Sequence, residues 1–113
     1  MVNKFIKNID IATVLTLSDL VSYQEGQIVS KTLAQNKSVS LTIFAFDKDE
    51  EISSHDSDGD AMVIILDGTG EITIADKKFI VIAGETIIMP AKTPHAVYAT
   101  EKFKMFLVVV FPQ

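Results

Sequence analysis

Apolar residues along this chain fall in runs of about five to nine, rich in β-branched and aromatic side chains and separated by polar or glycine-containing breaks. This spacing predicts strands at Gln27 to Leu33, Ser38 to Phe46, Ile52 to His55, Ala61 to Leu66, Gly70 to Ala75, Lys78 to Ile82, Glu85 to Met89, His95 to Ala99 and Lys104 to Phe111. Turns are expected at Ala34 to Lys37, Asp47 to Glu50, Asp67-Gly68-Thr69, Asp76-Lys77 and Ala83-Gly84, where Asp, Asn and Gly tolerate the backbone conformations of tight reversals. A single helical turn is expected near Ser18-Asp19-Leu20-Val21, with the serine hydroxyl as its cap. No interdomain linker or solenoid-period repeat interrupts the pattern, so residues 1 to 113 are read as one all-β domain.

Alternation within the runs orients the side chains. Ala61-Met62-Val63-Ile64-Ile65-Leu66 is apolar on both faces and predicts a strand buried on both sides, covered outside by a second sheet or a subunit. The phase that puts Ala61, Val63 and Ile65 together defines the inward face. Glu71-Ile72-Thr73-Ile74 and Thr42 to Phe46 are mixed and predict one face meeting solvent. Phe103 to Phe111 would aggregate if left uncovered and is read as the closing strand, buried in a sheet or at a dimer interface.

Composition narrows the function. With 48% hydrophobic residues the chain can form a core without cross-links, and with no cysteine it has neither a disulfide framework nor a thiolate site or nucleophile. A net charge of -5 opposes binding to phosphate backbones, so no nucleic-acid partner is expected. No apolar run reaches the ~18 residues of a membrane span, and residues 1 to 11 lack a secretory apolar core. A soluble cytoplasmic protein without a membrane partner is expected.

The chemistry rests on two histidines, His55 and His95, each at a strand edge beside a turn. The segment from Ile52 to Tyr98 resembles the cupin superfamily in its two motifs. At the anchor positions of the first motif stand His55, Ser57, Ala61 and Gly68, where the family carries histidine, histidine, glutamate and glycine. At those of the second stand Gly84, Pro90, Lys92, His95 and Ala99, of which Gly84, Pro90 and His95 match. The run from Gly84 to His95 is the most specific element, because a glycine turn, a strand, a proline-fixed loop and a histidine must agree at fixed offsets. The pattern from Gly59 to Ile72 is similar to small single-domain cupins, RmlC-like barrels whose biochemical role is generally unassigned.

The resemblance implies a double-stranded β-helix, a cupin jelly-roll barrel of two antiparallel sheets holding a small molecule and sometimes a metal in its mouth. It also implies a homodimer in which N-terminal strands pack against or exchange with the partner. Carried over by position, His55 and His95 are candidate ligands of a weakly bound divalent transition metal. Ser57, Ala61, Val63, Met89 and Ala99 are expected to line the pocket with them, a small and mostly apolar lining suited to a modest organic ligand. Two imidazoles fall short of the three or four protein ligands of a zinc site or the two histidines and carboxylate of a non-haem iron site. Asp56, Asp58 or Asp60 could add a carboxylate, although none sits at the family's offset.

Two functions follow from the resemblance: binding of a small organic molecule, or a metal-dependent oxygenase or isomerase using His55 and His95. A histidine acting as general acid or base without metal, as in the sugar-nucleotide epimerases of the family, lacks the substrate-binding arginines, since the chain contains no arginine. The plain alternative is that both imidazoles are satisfied by backbone or water and do nothing more. Other sites are excluded. An EF-hand register on Gly59 puts Ile65 where a bidentate carboxylate is needed. Gly68-x-Gly70 leads into a strand rather than a helix, and no Gly-x-Ser-x-Gly elbow occurs.

Overall fold

The computed structural model describes residues 5–113 and contains eight strands. They are β1 (Ile28–Gln35), β2 (Val39–Phe46), β3 (Glu51–His55), β4 (Asp60–Ile74), β5 (Lys77–Ile82), β6 (Thr86–Met89), β7 (His95–Tyr98) and β8 (Phe103–Val110). All pairings are antiparallel. One sheet runs β1-β2-β8-β4-β6 and the other β3-β7-β4-β5, so that β4 belongs to both. This is the expected jelly-roll barrel of two antiparallel sheets.

The shared strand corrects the predicted turn at Asp67-Gly68-Thr69. No reversal occurs there: two predicted strands are one strand of 15 residues that changes sheets midway. Its first part pairs with β6 and β8, and its second with β5 and β7. The change is made by a bulge against β8 between Ile65 and Asp67, followed by Gly68 at φ +76°. A Cβ on Gly68 would stand 1.9 Å from the Lys102 carbonyl oxygen, so the glycine signal marks a corner rather than a hairpin.

Smaller differences have local causes. The hairpin after β4 turns at Ala75-Asp76, one residue earlier than expected, with Ala75 in the left-handed region at φ +56°. The first hairpin turns around Asn36, whose Oδ1 accepts the amides of Ser38 and Val39 at 2.8 and 3.0 Å. The helical turn is a 3-10 turn, Leu17–Leu20, that starts one residue before Ser18. Thr16 holds the cap position without a side-chain hydrogen bond, and the Asp19 amide donates to the Thr16 carbonyl instead. Ser18 is therefore not the cap.

Two apolar clusters result. The first fills the barrel, with Phe46, Val63, Ile65, Ile72, Phe103 and Met105 almost fully buried and the Phe46 and Phe103 rings stacked at 4.6 Å. The second lies on the outer face of the larger sheet, where Leu33, Ile43 and Ala45 are covered by Ile9, Leu17, Leu20 and Val21 from the N-terminal segment. A polar latch holds that segment down. The Tyr23 hydroxyl donates to Asp67, the Lys104 ammonium lies 5.0 Å from the Tyr23 ring centroid, and Lys104 Nζ donates to the Ser18 carbonyl at 2.8 Å.

The expectation that Ala61 to Leu66 is buried on both sides holds on one face only. Ala61, Val63 and Ile65 point inward and are buried, whereas Met62 on the outer face is 39% exposed. The N-terminal segment covers only the half of this outer face that lies near Ile43. The predicted closing strand is placed more centrally than its name suggests, since β8 lies between β2 and β4. β1 pairs with β2 of its own chain. Among the described residues no helix is long and apolar enough to cross a membrane.

Candidate functional site

His55 and His95 come together at the end of the smaller sheet, although 40 positions separate them in the chain. β3 and β7 pair antiparallel, with Glu51 opposite Tyr98 and Ile52 opposite Val97, and then His55 opposite His95. Three steps along β3 match two along β7, so β3 carries one extra residue. That bulge decides which side chain faces His95. In a regular ladder Ser54 would stand opposite His95, sharing the phase of Ile52 and Val97; the extra residue gives the place to His55. The ring centroids are 4.4 Å apart and the rings cross at 72°.

Each imidazole is fixed in the same way. His55 Nδ1 lies 2.9 Å from the Ser53 carbonyl oxygen and His95 Nδ1 lies 3.1 Å from that of Thr93, in both cases two residues back along the chain. A carbonyl oxygen only accepts, so each Nδ1 carries the proton and donates it. In the neutral rings Nε2 is then the unprotonated nitrogen and offers a lone pair. No protein donor meets either Nε2 among the described residues. No buried side-chain nitrogen or oxygen lacks a partner among them either, so His95 Nε2 reaches solvent although the residue is only 3% exposed. His55 is exposed.

The electrostatics favour a neutral His95 ring. Burial pushes the pKa of His95 below its ordinary value, and the nearby His55 imidazole pushes it the same way. The Thr93 carbonyl and the Asp56 carboxylate oppose the shift without reversing it. A neutral imidazole with its second nitrogen anchored to a carbonyl can accept a hydrogen bond or ligate a metal ion.

The other candidate residues have different tasks. The Ser57 hydroxyl donates to the Gly59 carbonyl at 2.9 Å, and the Ser57 carbonyl accepts the Lys92 amide at 2.7 Å. Asp60 Oδ1 accepts the Ala91 amide at 2.8 Å. These bonds staple the acidic loop to the loop that leads into His95, and they use the Asp60 carboxylate and the Ser57 proton structurally. Gly59 is required by a close approach, since a Cβ there would lie 2.5 Å from the Val110 carbonyl oxygen. Ala61, Val63, Met89 and Ala99 are all within the cluster that fills the barrel. Three surface cavities of about 390, 300 and 370 Å³ lie elsewhere, lined by residues that include Phe79 and Ile87, Asn36 and Phe111, and Glu71 and Tyr98 respectively. Neither histidine borders them.

The donor set does not amount to a preformed metal centre. Among the described residues no group of three or more His, Cys, Asp or Glu side chains is placed to hold an ion. Of the four ligand positions the cupin motifs imply, two are imidazoles, one is a hydroxyl turned to a carbonyl and one is a methyl group. Sequence reasoning found both histidines and missed what orients them. The residue types carry no signal for it, because the acceptors are backbone carbonyls, which any residue at positions 53 and 93 would supply.

The family model described as the cupin domain matches residues 42–111, more than half of the chain, and the protein belongs to that family. It is similar to a conserved protein of unknown function from Streptococcus pyogenes, with 48% identity over 98% of this chain and 97% of that one and a TM-score of 0.96. A cupin superfamily protein from Desulfitobacterium hafniense is 30% identical over 95% of this chain and 98% of that one, with a TM-score of 0.90. A cupin 2 conserved barrel domain protein from Leptotrichia buccalis is 45% identical over 85% of this chain but only 47% of that one, with a TM-score of 0.83. A comparison with curated proteins gave no match.

Proposed function

We propose that this cupin binds a small organic molecule that donates hydrogen bonds to His55 and His95 at the barrel mouth. The observation that carries the reading is the pair of imidazoles whose Nδ1 atoms are both held by carbonyls, leaving two Nε2 lone pairs without a protein donor. A site built from two acceptors selects a ligand with two donors, such as a polyol or a ligand bearing an ammonium group. It discriminates against carboxylates, which bring only further lone pairs. Among the described residues no carboxylate or third ligand joins the two rings, which favours binding over metal-assisted catalysis.

A metal-dependent reading is favoured by one observation. An imidazole that ligates a metal typically gives its other N–H to a carbonyl or carboxylate, as both rings do here. In that reading Nε2 of His55 and His95 supply two ligands, and water or an organic chelator supplies the rest.

The experiment is a titration of purified protein, stripped of metal, with zinc or nickel chloride alone and separately with a panel of polyols and amines, followed by the imidazole Cε1–H resonances. The binding reading expects saturable shifts of both imidazoles with an organic compound, lost in His95→Ala. Tight binding of metal alone, at micromolar free concentration and near one ion per chain, would replace it with the metal-dependent reading. Shifts that persist in His95→Ala would remove the histidines from the site.

A further inference from the structure

We infer that Lys77 is a second anchor of the site, so that the molecule held by His55 and His95 is a hydroxy acid whose hydroxyls meet the imidazoles and whose carboxylate meets the lysine. The inference rests on the binding reading above. Cross-strand pairs place His55 opposite His95, His95 opposite Ile74 and Ile74 opposite Lys77, so these residues form one row across β3, β7, β4 and β5. The row lies on the inward face of the smaller sheet. Phe79 and Val81, two and four positions after Lys77, share its phase, and both pack in the cluster that fills the barrel, as Ile74 does. The Lys77 ammonium lies 5.3 Å from the Phe79 ring centroid, which holds the lysine arm against that same face.

The two ends of the row have opposite chemistry. At the β3 end two imidazoles offer lone pairs, and the acidic loop that begins at Asp56 adds negative charge. That end attracts donors and repels an anion. At the β5 end stands an ammonium group without a carboxylate partner. Among the described residues the one ion pair joins Lys78 to Glu71 at 4.0 Å, on the outer face, and Lys77 pairs with none, its turn neighbour Asp76 included. A carboxylate is therefore turned away from the imidazoles and toward Lys77, which fixes the direction in which a hydroxy acid lies along the row.

The spacing limits the size of the ligand. Adjacent strands lie about 4.8 Å apart, so the backbones of His95 and Lys77 are separated by about 10 Å, and the flexible lysine stem shortens the gap that a ligand must bridge. A chain of about three to six carbons spans it. Between the ends lie Ile74 and the Phe79 ring, which offer apolar contact and no partner for a further charge. A neutral polyol engages only the imidazole end, and a simple amine meets the repulsion of Lys77. The row thus narrows the ligand from any molecule with two donors to one that also carries an anionic group at its far end.

The test is a titration of the metal-free full chain with matched pairs of polyol and acid: glycerol with glycerate, erythritol with erythronate, and sorbitol with gluconate. The imidazole Cε1–H and Lys77 Cε–H resonances report binding. In at least one pair the acid is expected to bind about fivefold tighter than its polyol, the size of one exposed ion pair, and to shift both histidines and Lys77. Lys77→Met, which keeps the apolar arm over Phe79, is expected to remove that preference, whereas Lys78→Met removes the same charge from the outer face and is expected to keep it. Equal affinities in every pair, with the imidazoles shifted, overturn the inference and leave the binding reading standing. Equal loss of the preference in Lys78→Met overturns it as well, because long-range charge would then be the cause. Acids that shift Lys77 and leave the imidazoles unmoved, or compounds that shift neither, overturn it too, and the amine titration above then decides the binding reading by itself.

Discussion

Two polar clusters sit at corners of this barrel, and they differ in what they leave unused. At the sheet change, Tyr23 donates its proton to Asp67, and the Tyr23 ring lies under the ammonium groups of Lys102 and Lys104. Burial and the Asp67 carboxylate both push the tyrosine pKa up, so the hydroxyl stays a donor throughout the physiological range. Every group there has a partner within the chain. At the other corner His55 and His95 each have one nitrogen engaged and one free. The first arrangement is what a structural latch needs, and the second is what a binding site needs, since a group that recognises a ligand must have valence left over.

The largest expected effect tests the corner that makes both clusters possible. Gly68→Ala puts a Cβ against the Lys102 carbonyl oxygen in a left-handed conformation, and should cost about 3 kcal/mol or more in denaturant unfolding. A smaller loss would mean that β8 yields locally and that the corner is not fixed by this contact. Next in size, His95→Ala should cost about 2 kcal/mol, because it empties a buried position and removes the bond to Thr93, whereas exposed His55→Ala should stay within about 0.5 kcal/mol. Both substitutions should nevertheless impair ligand binding alike. Unequal stability with equal binding loss would separate the structural share of His95 from its share in the site.

Tyr23→Phe should cost about 1 kcal/mol through the lost bond to Asp67 and leave the imidazole resonances unmoved, which would show the two clusters to be independent. The pH dependence is the smallest effect and belongs to one cluster only. In the unfolded chain His95 takes up a proton near pH 6.5, and in the folded chain only at lower pH. Between those values the unfolded state holds more protons, so the stability due to the buried neutral ring is complete above pH 6.5 and declines as pH falls below it. Thermal unfolding between about pH 8 and pH 5 should show this slope in the wild type and lose it in His95→Ala.

Much of this arrangement was legible in the residues. Alternation at Ala61, Val63 and Ile65 identified the inward face, and the run from Gly84 to His95 identified the family motif whose histidine lies at the site. What alternation does not reveal is an irregularity in itself. The bulge in β3 turns His55 rather than Ser54 toward His95, and the bulge and glycine at Ile65 to Gly68 let one strand serve two sheets. Both are single extra residues whose effect depends on the strand opposite. The same limit applies to Ser57, which a motif offset assigns to the pocket. Its hydroxyl closes a turn onto the Gly59 carbonyl within the acidic loop, while its own carbonyl accepts the Lys92 amide from the loop before His95.

The most direct test of the account is a long-range proton–nitrogen correlation spectrum of both imidazoles at about pH 7.5. Protonated Nδ1 and unprotonated Nε2 at both His55 and His95 are predicted, giving two free acceptors at one site. An Nε2–H tautomer at either ring would contradict the claim, because the pair would then present a donor and an acceptor rather than two acceptors.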